Sequence, residues 1–388
     1  MNGLYRLQLP NLICAGNGAA AELAKFLEGK QCAAVLTDRQ LLQLGCVRQV
    51  INDIKKTVPD VQVLSGISPE PDIHEVARNA ELFRSWNVQV IIAIGGGSVI
   101  DTAKLLSVLD TDEYTVYDLL KAPEKARSIT PIIIIPTTAG TGAEATPNAI
   151  VAVPEQQTKI GIVNNALIGK TVILDAEMLS SIPRKIAAAT GADALCHAVE
   201  CFTSKKATPF SDLFAMEAFR LIEKNLENVC DENAPQARTD MLTAAFYAGI
   251  AISASGTTGV HALSYPLGGR YHVPHGIANA VLLMPVMRFN EPACRDRFAL
   301  LYDRIRPGQP LETNAEKSAW ILQRMQQIIE NIGIKPSLKE YGVSRKDIES
   351  LADSAMQVTR LLNNNLCPIT LDDAKNIYEQ IMTEEENG

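Results

Sequence analysis

The chain has 388 residues, of which 47% are hydrophobic and 21% are charged, and its formal net charge at pH 7 is −8. This composition is typical of a globular protein with a large core, and the length allows two domains. The acidic balance argues against nucleic acid or an anionic membrane as the main partner, because both attract basic surfaces. No apolar run is long enough to span a membrane, and we read no secretory signal at the N-terminus.

In chain order, the first half alternates short apolar runs with helical patterns. Strands are predicted at 33–37, 61–64, 88–94, 132–135 and 171–175, and helices at 40–53, 74–86 and 99–109. Such alternation is typical of βαβ units that build a mostly parallel sheet. The sequence therefore predicts an α/β domain over residues 1–180.

The pattern changes after Pro183, where Ala, Leu and Met dominate and β-branched runs are scarce. This composition favours long helices over strands. The predicted helices are 183–204, 208–228, 236–256, 276–290, 314–333, 345–361 and 370–382. Residues 181–388 are thus expected to form an all-helical domain.

A glycine-rich segment, residues 95–98 (GGGS), follows the strand 88–94 and opens a helix. Ser98 is predicted to cap this helix, with Asp101 completing a capping box. Glycines let backbone N–H groups approach a ligand, and a helix N-terminus favours an anion such as a pyrophosphate. The G-x-G-x-x-G fingerprint is absent, so the segment alone does not support an ordinary Rossmann assignment. A tight strand-to-helix turn without a ligand is an equal alternative.

A second polar segment, PTTAGTGAE, follows the strand 132–135 and contains Thr137, Thr138 and Thr141. Ligands of parallel sheets bind outside the carboxyl ends of the strands, so two such loops on successive strands are expected to share one crevice. A threonine-rich surface turn is the alternative.

Asp38 follows the strand 33–37. An acid at this point can bind the ribose hydroxyls of adenosine and would repel a 2′-phosphate. The adjacent Arg39 weakens this interpretation, because an arginine can bind that phosphate. A cap for the following helix is the equal alternative for Asp38.

Three of the five histidines form a pattern with one aspartate. Asp193 and His197 are separated by four residues and would project from one face of a helix. His261 and His275 are predicted to lie on either side of a turn broken by proline and glycine. One carboxylate and three imidazoles suit a divalent ion such as Fe²⁺ or Zn²⁺. Satisfied core or surface histidines are the alternative for each residue taken alone.

The eight cysteines form no Cys-x-x-Cys pair. A chain of this length needs no disulfide framework, so a reducing cytoplasm is the expected location. Cys196 and Cys201 flank His197 and are expected to be buried neighbours rather than ligands.

Four segments together resemble the iron-containing (group III) alcohol dehydrogenase family. They occur in the family's order and are GGGSVIDTAK, PTTAGTGAE, GADALCHAVE and HALSYPLGGRYHVPHGIANAVLLMPVMRFN. The resemblance covers nearly the whole chain. It implies a Rossmann-like N-terminal domain, a helical C-terminal domain and an active-site cleft between them.

The resemblance also implies roles for single residues. The implied metal ligands are Asp193, His197, His261 and His275. The implied cofactor contacts are Gly96, Gly97, Ser98, Asp101, Thr137, Thr138 and Thr141. Asp38 matches the position where an acid favours NAD over NADP, and Lys159 matches a lysine near the cofactor ribose.

The chain departs from the family at two positions. Many members carry a histidine where this chain has Tyr265, four residues after His261, and that histidine is often assigned to proton transfer or nicotinamide positioning. Tyr265 or His272 is expected to replace it. Many members have asparagine where this chain has Glu70, and an added negative charge there would weaken cofactor binding unless it is turned away.

The expected activity is hydride transfer between NAD(H) and a small alcohol or aldehyde, assisted by Fe²⁺ or Zn²⁺, in a homodimer. One alternative is a carbon–oxygen lyase resembling dehydroquinate synthase. Those enzymes bind zinc with one glutamate and two histidines, which the Asp-plus-three-His set does not match. Another alternative is a binding protein that has kept the fold and lost catalysis.

Overall fold

The computed structural model describes residues 4–156, 158–231, 234–308, 311–335 and 337–382. These residues divide into two units, one formed by residues 8–183 and the other by residues 4–7 together with 184–382. The first few residues therefore group with the helical unit and not with the α/β unit. Within this unit the rings of Tyr5 and Phe210 make an edge-to-face contact, with 5.4 Å between centroids.

The α/β unit is built on a parallel sheet. In the described residues six strands pair in the order β1-β8-β5-β4-β2-β3, and β6 and β7 form a separate antiparallel hairpin. The strands are β1 (Leu12–Ala15), β2 (Cys32–Leu36), β3 (Asp60–Leu64), β4 (Ile91–Gly95), β5 (Ile132–Pro136), β6 (Asn148–Val153), β7 (Thr158–Val163) and β8 (Thr171–Leu174). The helices are α1 (Leu23–Leu27), α2 (Gly45–Thr57), α3 (Ile73–Arg84), α4 (Gly97–Val108) and α5 (Val116–Lys121).

The two central strands explain why the sheet forms here. Every residue of β4 and β5 is buried, as expected for strands covered on both faces. Their parallel register sets Gly95 opposite Pro136, so the loops that follow both strands leave the sheet at the same edge. The edge strand β1, the hairpin and α5 were not predicted from the sequence.

The second unit is helical in its described residues. Its helices are α6 (Arg184–Phe202), α7 (Pro209–Asp231), α8 (Pro235–Ser255), α9 (Gly259–Tyr271), α10 (His275–Ile305), α11 (Asn314–Asn331), α12 (Ile348–Met356), α13 (Thr359–Leu362) and α14 (Leu371–Gln380). Helix α6 is buried from Gly191 to Phe202 and packs against α7, α8 and α10. The predicted fold class, an α/β domain with a helical domain, is confirmed.

Two predictions within the helical unit are wrong. The segment between His261 and His275 is not a broken turn, because α9 continues through Pro266 to Tyr271. Proline removes one backbone donor, but α9 is buried almost throughout and its packing offsets that loss. The predicted helix 276–290 is also longer, since α10 runs to Ile305 through Pro285 and Pro292.

None of the helices in the described residues has the length and apolar character needed to cross a bilayer.

Candidate active site

Helix α6 supplies two of the four predicted metal ligands. Asp193 and His197 lie one turn apart on a face that is fully buried. Glu200 continues the same face one turn further on, at a position where its side chain is 0% exposed. Three polar residues at spacings of four and three thus point from one helix into the interior.

The other two predicted ligands come from consecutive helices. His261 lies in the first turn of α9, and His275 is the first residue of α10. Gly276 lets α10 approach α6, because a Cβ at this position would lie 2.1 Å from the backbone oxygen of Ala189. A side chain at position 276 would therefore push His275 away from the ligands on α6.

The four donor atoms form one cluster. Asp193 Oδ1 lies 3.6 Å from His197 Nε2, 3.7 Å from His261 Nε2 and 3.6 Å from His275 Nε2. Ligand atoms around a tetrahedral divalent ion with bonds of about 2.1 Å are separated by roughly 3.4 Å. All four donor atoms lie within 4.8 Å of one another. Their spacing and their chemistry therefore fit a divalent metal ion.

Glu200 hydrogen-bonds to His261 at Nδ1, the ring nitrogen that is not part of the donor cluster, and the sequence analysis did not single it out. Its Oε2 accepts a hydrogen bond from His261 Nδ1. Its Oε1 accepts from the backbone N–H groups of Thr258 at 3.0 Å, Val260 at 2.9 Å and His261 at 3.3 Å, and from the Thr258 hydroxyl at 2.9 Å. Because Nδ1 donates its proton to this hydrogen bond, the other ring nitrogen of neutral His261, Nε2, is unprotonated and faces the other donor atoms. An unprotonated nitrogen is what a metal ligand requires.

Asn279 is the second supporting residue that the sequence analysis missed. It lies one turn after His275 on α10, and its Nδ2 donates to Asp193 Oδ1 at 2.7 Å. The same nitrogen lies 3.1 Å from His261 Nε2 and 3.2 Å from His275 Nε2. The signal in the sequence was spacing, since Asn279 follows His275 by four residues just as His197 follows Asp193.

Burial and charge together set the pKa values in the cluster. Burial alone would raise the pKa of Asp193, but the neighbouring imidazoles of His197, His275 and His261 hold it well below its usual range. Burial would likewise lower the pKa of His261, but Glu200 and Asp193 raise it to about 9. The cluster thus has a strong preference for positive charge, which either protons or a metal cation can satisfy.

The two predicted catalytic residues have different surroundings. The ring of Tyr265 is buried, and its centroid lies 6.4 Å from that of His275. His272 is exposed and ends α9 in a left-handed conformation, with φ of 53°. In the described residues His272 makes no ring contact or hydrogen bond with the four donor residues, so its part in proton transfer stays a prediction.

In the α/β unit, the glycine-rich and threonine-rich loops touch each other. A Cβ on Gly97 would lie 2.8 Å from Thr141 Cγ2, and one on Gly96 would lie 3.3 Å from Thr138 Oγ1. Thr137 donates its backbone N–H to Gly95 O at 3.1 Å. The two loops therefore form one continuous surface at the carboxyl ends of β4 and β5.

The predicted capping box at α4 is wrong. The helix begins at Gly97 with Gly96 as its cap residue, so Ser98 lies inside the first turn. Asp101 turns inward, and its Oδ2 accepts from the backbone N–H of Ile150 at 2.9 Å while Oδ1 lies 3.7 Å from Lys104 Nζ. Asp101 ties α4 to the β6–β7 hairpin, and its contact with a cofactor stays a prediction.

Asp38 and Lys159 both have partners within the α/β unit. Asp38 Oδ1 accepts from the backbone N–H groups of Gln40 and Leu41, each at 2.8 Å, just before a short 3-10 helix whose cap residue is Gln40. In the described residues its Oδ2 makes no hydrogen bond. Lys159 Nζ lies 2.6 Å from Glu70 Oε1. The added negative charge of Glu70 is therefore turned towards a lysine of this same unit.

Comparisons with known proteins agree with this geometry. Residues 10–176 match the family described as iron-containing alcohol dehydrogenase, and residues 187–382 match the C-terminal region of the Fe-containing alcohol dehydrogenase family. The chain belongs to the iron-containing alcohol dehydrogenase family.

Individual relatives of that family align over almost the full length. Long-chain-alcohol dehydrogenase 1 of Geobacillus thermodenitrificans is 34% identical over 96% of both chains. The NAD-dependent methanol dehydrogenase of Bacillus methanolicus is 32% identical over 90% of this chain and 92% of its own. The crystal structure of a 1,3-propanediol oxidoreductase superposes with a TM-score of 0.90 at 29% identity, covering 98% of this chain and 100% of the other.

Family membership confirms the predicted reaction class. The protein is an oxidoreductase that acts on an alcohol or aldehyde. The site described above fits the metal after which the family is named, because it gathers one carboxylate and three imidazoles.

Proposed function

We propose that this protein transfers hydride between NAD(H) and a small alcohol or aldehyde, with a divalent metal bound by Asp193, His197, His261 and His275. The observation that supports the proposal best is the convergence of these four donors from three helices. An ion held there, when bound, would act as a Lewis acid on the substrate oxygen.

The residues of the helical unit then have separate tasks. The four donors would hold the ion, and Glu200 and Asn279 would orient His261 and Asp193. The His275 side chain is 31% exposed, whereas that of Asp193 is 3% exposed. We therefore expect substrate to approach the cluster from the side of His275, where the buried ring of Tyr265 would shape its surroundings.

The cofactor would be bound by the loops of the α/β unit. The glycine-rich turn and the N-terminus of α4 suit a pyrophosphate, since backbone N–H groups and the helix dipole favour an anion. The proposed contacts are Gly96, Gly97, Ser98, Asp101, Thr137, Thr138, Thr141 and Lys159. Asp38 would favour NAD(H) over NADP(H) by repelling a 2′-phosphate.

The test compares His261→Ala with His74→Ala, a histidine of the α/β unit that binds Tyr117 and Glu155. The proteins are purified without metal, reconstituted with Fe²⁺ or Zn²⁺, and assayed for bound metal and for NADH formation with methanol, butanol and 1,3-propanediol. We expect His261→Ala to lose both metal and turnover and His74→Ala to keep both. Stoichiometric metal and normal turnover in His261→Ala would refute the ligand assignment.

A cytoplasmic location and a homodimer belong to the same proposal. The described cysteines are all free thiols, which suits a reducing compartment. The edge strand β1 exposes Leu12 and Ile13, and an uncovered apolar edge supports self-association. Light scattering of the purified protein tests the dimer.

A further inference from the structure

Glu70, which forms an ion pair with Lys159, has no role in the activity described so far. The two charged groups lie 2.6 Å apart, with 29% of the Glu70 side chain and 6% of the Lys159 side chain exposed. In the described residues Lys159 Nζ has no other hydrogen-bond or ion-pair partner. A nearly buried ammonium thus depends on a single carboxylate for its compensating charge.

Glu70 is held in position by the loop that bears it. Its backbone has a φ of 75°, a left-handed conformation that is uncommon for glutamate. Its N–H donates to Ser98 Oγ in the glycine-rich turn at 3.1 Å. The next residue, Pro71, accepts a hydrogen bond from Ala152 N at 3.1 Å, and Ala152 lies opposite Lys159 in the β6–β7 hairpin. The same short loop therefore contacts both the proposed pyrophosphate turn and the β6–β7 hairpin that carries Lys159.

We propose that Glu70 is an internal competitor for Lys159, which lowers the affinity of the protein for its dinucleotide cofactor. In the free protein the carboxylate neutralises Lys159. When the dinucleotide binds, its ribose and pyrophosphate oxygens compete with Glu70 for the same ammonium group. Glu70 is thus a residue that sets cofactor affinity, and it acts through Lys159.

This inference rests on the proposed binding of NAD(H) by the α/β unit. It predicts two opposite effects of removing the Glu70 charge. The free protein becomes less stable, because a nearly buried ammonium loses its partner. The complex with the dinucleotide is less affected, because the ligand supplies negative charge, so affinity rises. A residue with a merely structural role would lower both stability and affinity.

The experiment measures the thermal midpoint without ligand and the dissociation constant for NADH, using wild type, Glu70→Gln, Lys159→Met and the double variant. Glu70→Gln keeps the length of the side chain and removes its charge, and Glu70→Asn is a second variant suited to the left-handed backbone. Glu155→Gln is the matched control, because Glu155 lies beside the same hairpin but pairs with His74 at 2.6 Å. The titrations are repeated at higher salt, which screens exposed charges.

We expect Glu70→Gln to bind NADH roughly fivefold more tightly, on the scale of a partly exposed ion pair, and to melt at a lower temperature. Glu155→Gln should bind NADH as wild type does. Lys159→Met should bind more weakly, and in that background Glu70→Gln should have no further effect on affinity.

Equal or weaker NADH binding by both folded Glu70 variants would overturn the inference while leaving the proposed function intact. A gain in affinity that persists in the Lys159→Met background would also overturn it, because Glu70 would then act by another route. A wild-type protein that binds neither NADH nor NADPH would overturn the inference and the proposed function together.

Discussion

The cluster of donor residues in the helical unit (Asp193, His197, His261 and His275) and the polar loops of the α/β unit differ in what their side chains bind. In the cluster, four donor atoms already converge, and Glu200 and Asn279 hold them from behind. In the loops, several proposed cofactor residues bind other groups of the same unit. The difference teaches that helix packing alone can bring four donor atoms together, whereas the proposed binding of a cofactor by these loops would require some of them to exchange internal partners.

Buried charge is also balanced differently in the two regions. The cluster pairs acidic and basic groups so closely that the pKa of Asp193 stays well below its usual range. Behind the glycine-rich loop, Lys104 Nζ donates to Thr146 Oγ1 at 3.0 Å and to Asn148 O at 2.8 Å. Two carboxyl groups act on this buried cation: Asp101 Oδ1 lies 3.7 Å from Lys104 Nζ, and Glu144 interacts with it electrostatically. Burial raises the pKa of Glu144 to about 7, although Lys104 acts in the opposite direction.

The largest expected effect is on stability and comes from Glu144→Gln. A carboxyl group whose pKa is raised by folding contributes its full stabilisation when the pH is below its pKa in the unfolded chain. That contribution is lost as the pH rises through its pKa in the folded protein. For Glu144 the loss runs from the ordinary glutamate pKa of 4.5 to the raised pKa of about 7. A difference of this size corresponds to roughly 3 kcal/mol. Glu144→Gln should therefore match wild type in acid and exceed its stability in alkali.

The stabilities of wild type and Glu144→Gln are measured by thermal denaturation at several pH values across this range. Asp110→Asn, which removes a carboxylate that binds Thr130 elsewhere in the same unit, serves as the control. A stability difference between Glu144→Gln and wild type that does not vary with pH would show that folding leaves the pKa of Glu144 unchanged.

The next largest effect is on metal affinity at the four proposed ligands and comes from Glu200→Gln. A glutamine can still accept from the backbone at Thr258, but its amide would face His261 Nδ1 with a donor. His261 would then carry its proton on Nε2, the atom that must bind metal. Such outer residues typically change metal affinity by about 10–100-fold. We expect a loss of that size in a competition titration with a chelator.

Glu217→Gln is the control for Glu200→Gln, because Glu217 pairs with Arg220 on the surface of α7. Unchanged metal affinity in Glu200→Gln would mean that Glu200 only caps the N-terminus of α9.

The convergence of Asp193, His197, His261 and His275 could be predicted in part from the sequence, because helical spacing determines where side chains point. Asp193 and His197 share a face whenever residues 191–200 are helical, whatever surrounds them. The same rule would have found Glu200 and Asn279, each three or four residues from a ligand. His261 and His275 were also found, although the connection between them was predicted wrongly. Pro266 was read as a breaker, and only tertiary packing shows that α9 continues through it.

The loops were harder to predict because turn conformation and long-range pairing decide them. The capping box failed because α4 begins at Gly97, a shift that moved Ser98 into the first turn. No local pattern pairs Glu70 with Lys159, which are far apart in the chain and meet through the hairpin. The buried strands β4 and β5 were predicted, whereas the edge strand β1 has too few buried residues to stand out.

A smaller effect is expected from Asp38→Asn. This variant tests whether a loop residue that already accepts hydrogen bonds from its own backbone segment also selects the cofactor. Asparagine keeps an oxygen for the N–H groups of Gln40 and Leu41 and removes only the charge. We expect the preference for NADH over NADPH to fall by about tenfold, as for a repulsion of roughly 1.4 kcal/mol between partly exposed charges. Asp53→Asn, on the exposed face of α2, is the control. Equal use of both cofactors by wild type would contradict this role for Asp38.

The smallest effect is expected from Tyr265→Phe, whose buried ring lies beside His275. The ring lies 6.4 Å from that of His275 between centroids, and phenylalanine preserves its volume. A phenol has a reference pKa of about 10, which makes it a poor general acid near neutrality. Tyr265→Phe should therefore retain its metal and most of its turnover. Tyr265→His should be tolerated and should alter the pH profile, because an imidazole titrates near neutrality. Loss of turnover by several orders of magnitude in Tyr265→Phe, with metal content and fold unchanged, would show that the hydroxyl itself takes part in the reaction.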